Sequence, residues 1–133
     1  MAIGSSAVCG SFKKEAMAGI HRWTTASRGD SSSIAADTFK VAMFTDSATI
    51  DADTTGYTAS NEVSGTNYTA GGAALTSVTL GLADNSSSVP TAFLDFADTT
   101  WSTSTISSAM GALIYNSTLT GASTGGTTNA AAY

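Results

Sequence analysis

Charge is scarce in this sequence, and positive charge is scarcer still. Charged residues make up 11% of the 133 positions, less than half of the roughly 25% found in an average soluble protein. The only cations are Lys13, Lys14, Arg22, Arg28 and Lys40, so none lies beyond residue 40. Residues 1–40 hold five cations against three acids, a net +2, and residues 41–133 hold seven acids and no cation, a net −7. An overall charge of −5 excludes a phosphate backbone as the expected partner, because such binding rests on neutralising phosphates with Lys and Arg. No nucleic acid is expected. The asymmetry suits a body that orients its N-terminal segment toward a negatively charged surface, and it also arises by chance among so few charges.

Cysteine and histidine occur once each, as Cys9 and His21. A single cysteine excludes an internal disulfide, and one Cys with one His cannot close a zinc site. Cys9 is expected as a buried small hydrophobe. With His21 the only imidazole and no G-x-S-x-G elbow among the many serines, a nucleophile triad has no base and no exposed nucleophile. No run approaches the 18 apolar residues of a membrane span, and Met1–Ser11 lacks the charged start and apolar stretch of a secretory signal. A soluble protein made in a cytoplasm is expected, with no membrane partner and no cofactor.

What is abundant is small and neutral. Ser and Thr fill 42 positions and Ala another 23, yet hydrophobic content is 42% and falls in short β-branched and aromatic segments, so the composition is not that of a disordered chain. The length fits one domain. Residues 1–11 are expected as an N-terminal arm, 12–116 as a single β domain with a leading helix over 12–21, and 117–133 as a flexible or partner-paired C-terminal tail.

The helix rests on Phe12, Ala16, Met17 and Ile20 at helical spacing, with Ser11 as N-cap and Gly19 weakening the last turn. Thr24–Ala36 reads as a loop. Asp37–Phe44 alternates, Phe39, Val41 and Met43 facing one way and Lys40, Ala42 and Phe44 the other. Thr45–Gly56 suits turn chemistry, Thr58–Val63 one helical turn capped by Thr58, and glycines punctuate the chain around Tyr68. Leu75–Leu82 alternates again, with Thr76, Val78, Leu80 and Leu82 as the face expected to be buried. Ala83–Pro90 is a turn, Thr91–Phe96 and Thr99–Ile106 are expected strands, and Met110–Asn116, the most apolar segment, a central one. The expected class is all-β: an antiparallel β-sandwich or partly open β-barrel with one short N-terminal helix.

Short motifs add little. Asp51 with Asp53, and Asp95 with Asp98, are spaced as carboxylate pairs, but aspartates in turns commonly bond their own backbone. The D-x-D at Asp51 lacks the remaining ligands of an EF-hand. Arg28-Gly29-Asp30 spells an adhesion tripeptide, and sequons begin at Asn67, Asn85 and Asn116, matches that a chain this rich in Ser and Thr produces by composition. Trp23, Trp101 and Tyr115 are candidate anchors whose place in predicted strands or beside the helix also suits a core.

Longer segments carry a resemblance. SFKKE at Ser11–Glu15 with Gly19–His21, the stretch Asp37–Thr76 containing NEVSGTNYTAGG (Asn61–Gly72), and Thr91–Ser117 with DFADTTW (Asp95–Trp101) and GALIYNS (Gly111–Ser117) resemble a family of small structural proteins of tailed bacteriophages. The likeness spans residues 11–117 and implies a virion component, most simply a decoration or cement protein on the capsid exterior. It would bind the major capsid protein and itself as a trimer, with no catalytic role. Family members continue past the last of these segments with a further strand pair where this chain has Asn129–Tyr133, which implies a truncated end or a strand supplied by a neighbour. The residues expected to face the shell are Phe12, Lys13, Lys14, Met17, Ile20, Arg22 and Trp23, with the acidic loop Asp46–Thr55 toward solvent. Two rivals remain: a head-tail connector or tail component, and an extracellular adhesin or glycan-binding module using Trp23, Tyr57 and Tyr68 as stacking platforms.

Overall fold

The computed structural model describes residues 6–25, 34–85, 89–119 and 130–132, with the side chains at 84, 85, 89 and 130–132 excepted. The protein is built mostly from antiparallel strands with one short helix. In chain order these are β1 (Ala7–Val8), α1 (Gly10–Met17), β2 (Phe39–Phe44), β3 (Ala73–Ala74), β4 (Thr79–Asn85), β5 (Val89–Asp95), β6 (Gly111–Asn116) and β7 (Ala130–Ala132). Five strands form one sheet in the order β1-β7-β6-β2-β3, and β4 with β5 forms a separate hairpin. Neither sheet closes on itself among the described residues. No helix among them is long and apolar enough to cross a membrane.

The expected strands at Asp37–Phe44 and Met110–Asn116 become β2 and β6, paired from Phe39↔Asn116 to Phe44↔Gly111 with β6 at the centre of the sheet. Their alternation sorts two faces. Ala42 and Phe44 of β2 lie on the same face as Leu113 and Tyr115 of β6, and with Cys9, Ala48 and Ile50 they make the buried core, against which Phe12 and Tyr57 pack. Phe44 and Leu113 are wholly buried, each contributing about 1.5–3 kcal/mol relative to exposure. The opposite face carries Phe39, Val41 and Ile114.

The segment 45–72 closes over the core and is pinned by side chains rather than by long strands. Glu62, bridged to Phe44, accepts hydrogen bonds from the Tyr57 hydroxyl, from the Tyr68 hydroxyl at 2.7 Å and from the Gly71 N–H at 2.8 Å. Tyr68 Oη in turn accepts from the Met43 N–H at 2.9 Å, and Tyr115 Oη donates to the Gly71 carbonyl at 2.8 Å. Tyr57 stacks on Tyr115 with ring centroids 4.7 Å apart. A carboxylate accepting three donors in a half-buried site is a strong tether. Burial first, with Glu62 adding to it, holds the Tyr57 and Tyr68 hydroxyls protonated well above the ordinary tyrosine range. Asp51 Oδ1 accepts from the Asp53 N–H at 2.9 Å, so this carboxylate bonds its own turn.

Several expectations are corrected. The helix spans Gly10–Met17 rather than 12–21. Cys9 stands at the N-cap position without a side-chain cap bond, while Ser11 lies inside the first turn and its hydroxyl donates to the Thr54 carbonyl. The helix stops because Gly19 adopts φ +67, with Ile20 N–H bonded to the Glu15 carbonyl and Gly19 N–H to the Ala16 carbonyl, a Schellman ending. The buried residue of the helix is Glu15, while Met17 is 84% exposed on its outer side.

Thr99–Ile106 is not a strand. It docks edgewise on residues 65–67 through Thr105 N–H to the Thr66 carbonyl, Thr66 N–H to Thr105 Oγ1, and Asn67 Nδ2 to the Thr103 carbonyl, bonds that take the place of a ladder. The face Thr76, Val78, Leu80 and Leu82 is not buried: Leu80 is 50% and Leu82 71% exposed, because β4 pairs only with β5 and the hairpin has no third strand among the described residues. The turn between them is shorter than Ala83–Pro90, since β4 runs to Asn85 and β5 starts at Val89. The two chain ends join the sheet, β1 pairing with β7 and β7 with β6, since the free edge of β6 needs partners for its backbone groups. Residues 130–132 therefore pair within the chain, and Ala7–Val8 is sheet rather than arm. Arg28-Gly29-Asp30 lies outside the described residues.

Glycine geometry yields a test. Gly72 has φ +70, and a Cβ there would stand 1.8 Å from the Val41 carbonyl oxygen, whereas one at Gly19 would meet nothing within 4 Å. Gly19→Ala should cost about 1–2 kcal/mol, the left-handed penalty alone, and Gly72→Ala clearly more. Urea unfolding midpoints of the two variants check the order.

Candidate functional site

The seven residues expected at a contact surface do not act as one set. Lys13 and Lys14, on the outer side of α1, are exposed together with Met17, and Arg22 is exposed just beyond the helix. Phe12, Ile20 and Trp23 turn inward and are half-buried. Trp23 stacks on Phe39 with centroids 3.9 Å apart and planes within 13°, and Phe12 stacks on His21 at 4.7 Å. The cationic helix also borders the acidic loop: Gly10 N–H bonds the Ala52 carbonyl at 2.8 Å, while Asp46, Asp51 and Asp53 are exposed.

What holds this segment to the sheet is a buried polar cluster. His21 Nε2 lies 3.1 Å from Glu15 Oε2, and both residues are buried. On its other side His21 Nδ1 is 3.1 Å from Asn116 Nδ2. The Asn116 amide is fixed, because its Oδ1 accepts from Thr118 N–H at 2.9 Å and its Nδ2 donates to Asp37 Oδ2 at 2.7 Å. It therefore presents a donor to Nδ1, which must be unprotonated, and the ring proton sits on Nε2 toward Glu15. Asp37 also accepts from the Arg22 N–H at 2.9 Å. Burial lowers the His21 pKa below 6.5, with Glu15 and Asp37 pulling the other way. Packed against Phe12 and bonded to Asn116, this cluster staples the N-terminal segment to the sheet.

The open feature lies beside it. A cavity of about 620 Å³ separates the Phe39–Ile114 face of the main sheet from the hairpin. The sheet contributes Val8, Phe39 and Ile114, the N-terminal segment Phe12, Ala16 and Trp23, and the hairpin side Leu80, Ala92, Phe93, Leu94 and Phe96. Every one of these side chains is apolar. An adjoining recess of about 310 Å³ shares Trp23 and Leu80 and adds Arg22, His21 and Ile34. Phe93 lies across Gly81, its cross-strand partner: a Cβ on that glycine would stand 2.5 Å from the ring.

No family model, curated protein or solved structure matches the chain. The geometry alone therefore ranks the candidate surfaces. Among the described residues, no group of three or more His, Cys, Asp or Glu side chains is placed to hold a metal ion. The proposed stacking platforms are occupied from within, Trp23 by Phe39, Tyr57 by Tyr115, and Tyr68 by Trp101 at 5.8 Å. Residues that sequence reasoning missed are Leu80, Leu82, Phe93 and Leu94, exposed around the groove and hairpin. Their alternation was legible; the absence of a cover was not, since it depends on strands elsewhere in the chain.

The His21 cluster gives the fold a pH dependence of defined sign. The folded pKa lies below the unfolded value of 6.5, so the unfolded chain binds the extra proton first and acid favours unfolding. Stability should be level in this respect above pH 6.5 and fall as pH drops through 6.5 toward the lowered folded value. Urea midpoints measured across that window should decline in the native protein, and His21→Gln should remove the decline.

Proposed function

We propose that this protein is a structural component of a tailed-bacteriophage particle: a decoration, or cement, protein on the capsid exterior that binds the major capsid protein, itself associates as a trimer, and stabilises the shell. The observation that carries this reading is the apolar groove and hairpin left open to solvent on a chain with little charge to protect it. Exposed apolar surface of this extent, rimmed by polar residues, marks an interaction surface. The residues behind the family resemblance support it. Within Asn61–Gly72, Glu62, Tyr68, Gly71 and Gly72 each lock the loop to the central strands, so the motif is one that preserves a scaffold.

Contact with a shell suits this design. An oligomer spreads many small contacts over several shell subunits, and tethered sites bind with high effective concentration. Lys13, Lys14 and Arg22 supply the positive side of an otherwise acidic body, and with Met17 they form the outward part of the N-terminal surface. In the finer architecture we place the hairpin as a second layer over the Phe39–Ile114 face, an antiparallel sandwich opened by the groove. The protein acts through these surfaces and not as an enzyme.

Purified chain should co-sediment with empty shells, and joint replacement of Lys13, Lys14 and Arg22 by Ala should lower occupancy about tenfold, each lost charge contact contributing a fraction of a kcal/mol up to about 1 kcal/mol. Unchanged occupancy would refute the helix as contact surface. Gel densitometry of whole particles separates this reading from a head-tail connector or tail component: a decoration protein is present in copies comparable to the shell subunits, and a connector in a handful.

A further inference from the structure

His21 is the only histidine of the chain, and it is buried where its two ring nitrogens meet partners of opposite demand. Nε2 faces the Glu15 carboxylate at 3.1 Å, and Nδ1 faces the Asn116 amide nitrogen at 3.1 Å. A neutral ring suits both, with its proton on Nε2 and a lone pair on Nδ1. An imidazolium is a donor at both nitrogens, so it sets a second N–H against the NH2 group of Asn116. Turning that amide over gives no relief. Asn116 Oδ1 would lose the Thr118 N–H and stand against Asp37 Oδ2, where Nδ2 now donates at 2.7 Å. The charged groups facing the ring are Glu15 from α1 and Asp37 from the entry to β2, while β6 supplies the neutral Asn116. Burial outweighs the pull of the two acids and lowers the His21 pKa below 6.5.

The same ring supports the aromatic wall of the groove. Phe12 stacks on it with centroids 4.7 Å apart, and Trp23 and Phe39 lie at 6.4 Å and 6.1 Å. All three line the groove, and Trp23 in turn stacks on Phe39 and tilts against Phe96 on the hairpin side. The chain that carries His21 and Trp23 has left α1 at Met17 and belongs to no strand, with Ala18, Gly19 and Arg22 exposed. Opening so short a loop costs less than unfolding the sheet. We propose that His21 is an acid switch on the groove: protonation ends its contact with Asn116, moves the ring off β6 and loosens Trp23 from Phe39, so the aromatic wall rearranges while the sheet stays folded. The β2–β6 ladder and the bond from Asp37 N–H to the Arg22 carbonyl do not involve the ring, and they hold through the change. The device lies within one chain and works without a partner, so it stands apart from the shell reading.

Tryptophan emission and the NMR resonances of the His21 ring, followed on the full chain, test it. In a Trp101→Phe background Trp23 is the only tryptophan. Its emission should shift to the red as pH falls, with a midpoint below 6.5 that coincides with protonation of His21, while the far-UV circular dichroism keeps its native value. His21→Gln, neutral throughout, should hold Trp23 emission level over the same range. Trp23 emission that stays level while His21 protonates would overturn the switch, as would an equal red shift in the His21→Gln chain or protonation that occurs only as the circular dichroism collapses. The NMR titration needs no change at position 21, so if His21→Gln fails to fold, the two midpoints measured on the histidine-bearing chain decide the matter.

Discussion

The antiparallel pairing of β2 with β6 is the constraint on which the rest of the molecule depends. Both strands are apolar on both faces, so each face demands a cover. One face receives a complete one: Ala42, Phe44, Leu113 and Tyr115 are sealed by the segment 45–72, with Glu62 gathering Tyr57, Tyr68 and the Gly71 N–H. The other is covered at one end by Trp23, Phe12 and the His21 cluster and, among the described residues, is left open at the groove. The asymmetry between a sealed face and an open one is the physical basis of the functional proposal.

That asymmetry explains why charged groups are buried at all in so neutral a chain. Taking Glu15 and His21 out of water is costly unless they are partnered. Here the partners are chosen from three elements, Glu15 from α1, Asp37 from the entry to β2 and Asn116 from the end of β6. The cluster thereby ties the helix and its exposed Lys13 and Lys14 to the central strands, which gives the basic surface a fixed position relative to the groove. The scaffold and the proposed contact surface share their anchoring residues.

Parts of this were legible in the sequence because they are local. The alternation in Asp37–Phe44 identifies one of the two paired strands and its faces, and the apolar run Met110–Asn116 identifies the other without its faces, whereas Gly19, read as a weakened last turn of a helix reaching residue 21, ends that helix at Met17. The rest depended on partners distant in sequence. Glu15 is buried on α1 because His21 receives it, a reason no helical periodicity contains. Thr99–Ile106 has strand composition but spends its backbone and hydroxyl groups on residues 65–67, and Leu82 has the pattern of a buried residue on a hairpin with nothing above it. Of the candidate surface, the cations and Trp23 were visible in advance; the hairpin leucines were assigned to a core and lie in solvent.

The proposal that this chain works as part of an assembly on a particle rests on an open face that is apolar and sparsely charged. The most direct measurement of that claim is electron microscopy of phage particles labelled with an antibody against this polypeptide. The account predicts label distributed regularly over the capsid exterior; label confined to the tail or a single vertex, or particles that carry none, would contradict it.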